Sequence, residues 1–129
     1  MVSVDTNILV RFLTKDDDAQ FQKAYTLFQT EKIFITDTVL LETEWVLRYV
    51  YKCSKQEILQ GIQKILGLSN VFAQNHEKIV QVIELYKKGL DFADAFHLAN
   101  SQQFSILFTF DEKFIKRSKD LTNCTVRKL

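Results

Sequence analysis

Met1-Val2-Ser3-Val4-Asp5-Thr6-Asn7-Ile8-Leu9-Val10-Arg11-Phe12-Leu13 opens the chain with a pattern that returns near its far end. Val2 to Val4 reads as a buried strand that stops on Asp5, and Ile8 to Leu13 as the start of a helix. Ile106-Leu107-Phe108-Thr109-Phe110 repeats the plan: a strand runs into Asp111, and a short helix follows near Glu112 to Lys119. Between these stretches, short apolar runs alternate with longer amphipathic ones, the pattern of an α/β fold on a parallel sheet. Ligands of such sheets bind at the carboxyl ends of the strands, so two strands ending in aspartate aim two carboxylates at that edge. Each aspartate can equally cap the helix that follows it, and both roles stay open at this point.

Working outward, Asp16, Asp17 and Asp18 form an acidic turn before a helix from about Ala19 to Thr30, where acids suit a helix N-terminus. Ile33-Phe34-Ile35 is a second strand, and Thr36, Asp37 or Thr38 caps a helix that reaches about Tyr51. Helices over Lys55 to Leu66 and His76 to Lys88 flank a short strand at Val71-Phe72, with Gly89 placed to end the second helix. A further helix covers Asp91 to Gln103, and Thr125 to Arg127 is the last strand.

The 129 residues fit one domain, 1–129, with no proline and glycines only at 61, 67 and 89, so nothing reads as a linker or repeat. Hydrophobic residues make up 47% of the chain and include eleven Phe, ample for a bulky core. A net charge of +1 excludes a strongly basic nucleic-acid binder. Any such contact must use a local patch such as Lys113, Lys116, Arg117, Lys119, Arg127 and Lys128, which by itself reads first as a solvated surface. Cys53 and Cys124 match no metal-ligand spacing and read as reduced packing residues. Met1 leads straight into the first strand with no signal peptide in view, and no apolar run approaches the ~20 residues that span a bilayer. A soluble, cytoplasmic protein is the expectation.

Further acids stand out by position. At 100° per residue, Glu42 shares a helix face with Val39, Trp45, Val46 and Tyr49, and an acid on an apolar stripe is expensive to bury unless paired or metal-bound. Glu44 lies almost opposite and can pair with Arg48 at i,i+4, so it is expected at the surface. Leu40, Leu47 and Tyr51 occupy the remaining face; a helix apolar on both sides is buried or at an interface, which points to a homodimer. In Asp91-Phe92-Ala93-Asp94-Ala95-Phe96-His97-Leu98-Ala99, Asp91 makes a good N-cap, whereas Asp94 sits inside the helix among Ala and Phe. His97 reads as a packed or partly exposed helix histidine ahead of a proton shuttle.

Carboxylates gathered in one place repel: two unit charges 4 Å apart cost ~4 kcal/mol at an effective dielectric near 20. Such a cluster takes up protons or divalent cations, and oxygen-only ligands select Mg²⁺ or Mn²⁺. Those ions activate water and neutralise charge on a phosphodiester, so the chain needs no Ser-His or Cys-His pair to be an enzyme.

Asp5-Thr6-Asn7-Ile8-Leu9, Leu40-Leu41-Glu42-Thr43-Glu44-Trp45-Val46-Leu47-Arg48, Asp91 through Ala99, and Thr109-Phe110-Asp111 together resemble the PIN domain, most of all its VapC-type toxins. Each motif is weak alone, but four in order cover essentially the whole chain. The resemblance implies a three-layer α/β/α sandwich around a parallel sheet of order 3-2-1-4-5. It implies an endoribonuclease dependent on Mg²⁺ or Mn²⁺, usually a homodimer, acting on RNA and neutralised by a small cognate antitoxin. Its main acids would be Asp5, Glu42, Asp94 and Asp111, with Asp91 as an additional metal-site acid and Asn7 and Thr109 as polar residues orienting the carboxylates. A haloacid-dehalogenase-type phosphatase would need a second Asp where Asn7 stands; a PIN-like binding module without activity would keep the fold and lose the chemistry.

Overall fold

A computed structural model describes all 129 residues. The chain divides into two compact units, Met1–His76 and Glu77–Leu129.

The first unit contains β1 (Val2–Ser3), α1 (Thr6–Thr14), α2 (Asp18–Thr30), β2 (Ile33–Ile35), α3 (Asp37–Tyr49), α4 (Lys55–Leu66) and β3 (Val71–Ala73). β2 lies between β1 and β3, parallel to both, with Val2 opposite Ile33 and Ile33 opposite Val71. Ile33 and Ile35 are fully buried, as are Leu9 of α1, Leu40 of α3 and Ile58, Ile62 and Ile65 of α4. The helices start where side chains satisfy their first amides. Asp17 accepts from Gln20 N at 2.9 Å, and Ser54 and Glu57 form a reciprocal capping box at 2.8 and 3.1 Å. The turn after α1 is tied down by Asp16, which accepts from Arg11 Nη1 at 2.9 Å and from the Tyr51 hydroxyl at 2.7 Å. These bonds, that from Tyr51 foremost, hold the Asp16 carboxyl below its ordinary range. α1 begins at Thr6, two residues earlier than its apolar spacing indicates, because Asp5 is already the cap.

The second unit contains most of α5 (His76–Lys87), then α6 (Phe92–Ala99), β4 (Ile106–Thr109), α7 (Glu112–Ser118) and β5 (Thr125–Lys128). Gly89 ends α5 as expected, at φ 112, where a residue with a side chain is strained. α6 stops at Ala99, short of the expected Gln103. Ser101 Oγ and Gln102 Nε2 donate back to the His97 and Leu98 carbonyls, each at 2.8 Å, and the Ser101 amide bonds the Leu98 carbonyl at 3.1 Å in place of that of His97, so the helical ladder ends here. Phe92 packs edge-on between Tyr86 and Phe96, with ring centres 4.9 and 5.3 Å away. β4 and β5 are parallel, with Ile106 opposite Thr125 and Phe108 opposite Arg127.

The α/β class and the parallel pairing expected from the sequence are both present. The runs 3-2-1 and 4-5 of the expected strand order stand as two separate sheets. No helix is long and apolar enough to cross a membrane.

Candidate active-site residues

In the first unit, Asp5 stands in extended backbone between β1 and α1, and its Oδ1 accepts from Ile8 N at 3.3 Å. The next residue, Thr6, is buried, and its hydroxyl donates a hydrogen bond to Glu42 Oε1. Glu42 of α3 is thereby bound to the residue that follows Asp5. Sequence reasoning missed Thr6 because it began the helix at Ile8. Begun at Thr6, α1 buries Thr6, Leu9 and Val10, the i, i+3, i+4 spacing of a core stripe.

The expected placement of the two glutamates is reversed. Glu42 does share a face with Trp45 and Tyr49, but that face is exposed: Trp45 retains 52% and Tyr49 49% of its accessible surface, and their rings pair at 5.2 Å. α3 buries Leu40, Thr43, Glu44 and Leu47 instead. These follow the same i, i+3, i+4, i+7 rule, masked in the sequence because two of the four are polar. Glu44 keeps 1% exposure; Arg48 meets its charge with Nε at 3.1 Å and Nη2 at 3.2 Å. Thr43 satisfies its hydroxyl on the Val39 carbonyl at 2.7 Å.

In the second unit, Asp91 caps α6, accepting from Ala93 N at 3.2 Å, and Asp94 follows in the helix's first turn. Asp111 caps α7, its Oδ1 accepting from Lys113 N at 2.9 Å and Phe114 N at 3.1 Å. Thr109 Oγ1 accepts from Asp111 N at 3.0 Å and so fixes the backbone that carries that carboxylate. Asp94 is half-buried, and burial above all raises its carboxyl above the ordinary aspartate range. The negative charges of Asp91 and then Asp111 add to the rise, while His97 and Arg117 oppose it. Asp91 and Asp111 therefore both lie within electrostatic reach of Asp94. His97 is exposed on α6, and Asn7 is exposed in the first turn of α1. Cys124 is buried and Cys53 partly so, neither in a disulfide, as expected of packing residues.

Capping and metal binding do not exclude each other. Asp5 and Asp111 each commit one carboxylate oxygen to a helix N-terminus. No three His, Cys, Asp or Glu side chains are arranged as a ready-made metal cage. Mg²⁺, however, is ordinarily held by one or two carboxylates, with water and substrate phosphate completing its octahedron. The oxygen-only donors and the mutual repulsion at Asp94 fit that chemistry.

A family model described as PIN domain matches residues 2–120. No curated protein matches the chain significantly. Among solved structures, the chain is similar to the Mycobacterium tuberculosis toxin VapC20, described as Sarcin-Ricin loop cleaving. The two are 18% identical with a TM-score of 0.46, over 88% of this chain and 92% of that one.

Proposed function

The chain belongs to the PIN-domain family, and from that premise we propose that it is a metal-dependent endoribonuclease whose catalytic acids are Asp5, Glu42, Asp94 and Asp111. The observation that carries this reading is the single family match over residues 2–120, which includes all four acids. Asp91 serves as an auxiliary ligand. Thr109 orients Asp111 through its backbone amide at 3.0 Å, and Asn7 is assigned the matching role beside Asp5. A bound Mg²⁺ or Mn²⁺ supplies an activated water and neutralises charge on the RNA phosphodiester. Asp5 and Asp111 hold one oxygen each on helix amides, which restrains the carboxylate and leaves its other oxygen for ligand duty. Asp94, whose carboxyl is raised by burial and then by Asp91 and Asp111, ionises more readily once that negative field is offset.

In the same reading the protein is the cytoplasmic toxin of a toxin–antitoxin pair, restrained by a small cognate antitoxin. The exposed Trp45–Tyr49 pair on α3 supports a homodimer, since aromatic residues of that exposure are typical of interfaces. Cleavage of a structured RNA in Mn²⁺ by wild type and by Asp5→Ala tests the activity. Wild type is expected to cleave and the variant to fall to background; equal cleavage by both would trace the activity to a contaminant and remove the assignment.

A further inference from the structure

The β4–β5 pair exposes a face that is aromatic and cationic together. Strand alternation places Ile106 and Phe108 of β4 on one side with Thr125 and Arg127 of β5. Phe108 is 55% exposed, and its register partner Arg127 lies over its ring, the guanidinium carbon 6.0 Å from the centre. Phe110, one residue beyond the strand and immediately before Asp111, is 71% exposed. Large aromatic side chains left this open gain only part of what burial in the core would give. The surrounding chain is charged in one sense: Phe104 to Leu129 carries six basic residues against three acidic ones. Lys128 is engaged by Glu112 at 2.5 Å, whereas Lys113, Lys116 and Lys119 are exposed on or just after α7.

Exposed rings bordered by cations match a polyanion whose bases are free to stack. A duplex keeps its bases stacked inside and offers only backbone and groove edges, so an unpaired strand fits this face better. We propose that Phe108, Phe110 and Arg127 form a stacking platform for unpaired RNA nucleotides, leading the strand past Phe110 to Asp111. The choice of RNA rests on the ribonuclease reading above; the stacking itself does not depend on cleavage.

The test is fluorescence anisotropy of a labelled uridine octamer with the full chain in EDTA, the octamer checked on a gel to be intact. Phe108→Ala and Phe110→Ala are each expected to weaken binding about tenfold, the scale of losing one base–aromatic stack. Arg127→Gln should flatten the dependence of log affinity on log salt by about 0.7, the value of one phosphate contact on a single strand. A hairpin stem should compete poorly with the octamer. All three side chains are at the surface, so the variants should share the wild-type melting temperature; if an alanine variant melts early, the salt slope of Arg127→Gln decides. Wild-type affinity in all three variants overturns the platform. So does a change of oligomeric mass in light scattering with RNA affinity intact, which would make the face a protein interface. If the octamer binds and Phe108→Ala weakens it, yet wild type cleaves no RNA in Mn²⁺, the platform stands and the nuclease reading falls. If every variant cleaves and binds at wild-type levels, the platform falls and the nuclease reading stands.

Discussion

The two units hold their candidate acids in opposite ways. In Met1–His76, Asp5 and Glu42 each face a neutral donor, the Ile8 amide at 3.3 Å and the Thr6 hydroxyl. In Glu77–Leu129, Asp91 and Asp111 also accept helix amides, but Asp94 meets both of them as charges and its carboxyl is raised by burial and by that repulsion. A carboxylate bound to a hydroxyl has lost rotational freedom and needs no cation to keep its place. A carboxylate crowded by others is held against an unfavourable field that a proton or cation relieves. In the proposed nuclease the first group would serve position, and Asp94 in the second would gain from a cation.

Neutralising an acid gives the largest effect and the sharpest test of whether both groups serve one reaction. Glu42→Gln and Asp94→Asn are each expected to reduce kcat/KM by more than the roughly 100-fold that outer-shell changes reach. Glu44→Gln, on the same helix as Glu42, should leave kcat/KM of the folded protein within a fewfold of wild type. Loss in Asp94→Asn with full activity in Glu42→Gln would make Glu42 a structural partner of Thr6 and end the comparison.

Thr6→Val removes the donor while keeping side-chain shape. The expected loss of activity is about 10–100-fold, and Thr6→Ser should recover most of it. Because Glu42 is exposed, water can take the vacated oxygen, so stability should fall by about 1 kcal/mol or less. A variant that melts far lower and cleaves normally would make the Thr6–Glu42 bond a fold contact only.

Arg48→Ala addresses the acid that is buried without a proposed chemical role. It takes from the Glu44 carboxylate, 1% exposed, its ion-pair contact at 3.1 Å and its hydrogen bond at 3.2 Å. A loss of about 1.5–3 kcal/mol in urea unfolding is expected, the scale of a hydrogen bond to a charged group, with cleavage by the folded fraction unchanged.

Strand ends and caps were legible in the sequence because their signals are local. Asp5, Asp91 and Asp111 each precede a helix and each accepts an amide from its first turn. Gly89 was legible for the same reason. The inner face of α3 was not: hydropathy favours Val39, Trp45 and Tyr49, while the core takes Thr43 and Glu44 once Val39 and Arg48 satisfy their polar atoms. A partner four residues away reverses the reading of a face, and no hydrophobicity scale contains that partner. Thr6 was hidden by a two-residue error at a helix start. The stop of α6 at Ala99 comes with the Ser101 amide turning to the Leu98 carbonyl, a switch that periodicity does not carry.

The smallest effect concerns Asp94 without metal. Its folded carboxyl is raised, so the folded state binds a proton more tightly than the unfolded chain does. The stabilising contribution of protonated Asp94 is complete below the unfolded aspartate value of about 3.9. It is lost as pH rises through the folded value, and at neutral pH the ionised group works against folding. Asp94→Asn does not titrate and escapes that loss. In EDTA the variant should be slightly more stable than wild type at pH 7, and the advantage should vanish in acid. Millimolar Mg²⁺ or Mn²⁺ reverses the order if Asp94 is a ligand, because binding to the folded state raises the wild-type melting temperature and leaves the variant nearly unmoved. A variant less stable than wild type in EDTA across this whole range would place Asp94 with Glu44, as an acid that the fold requires.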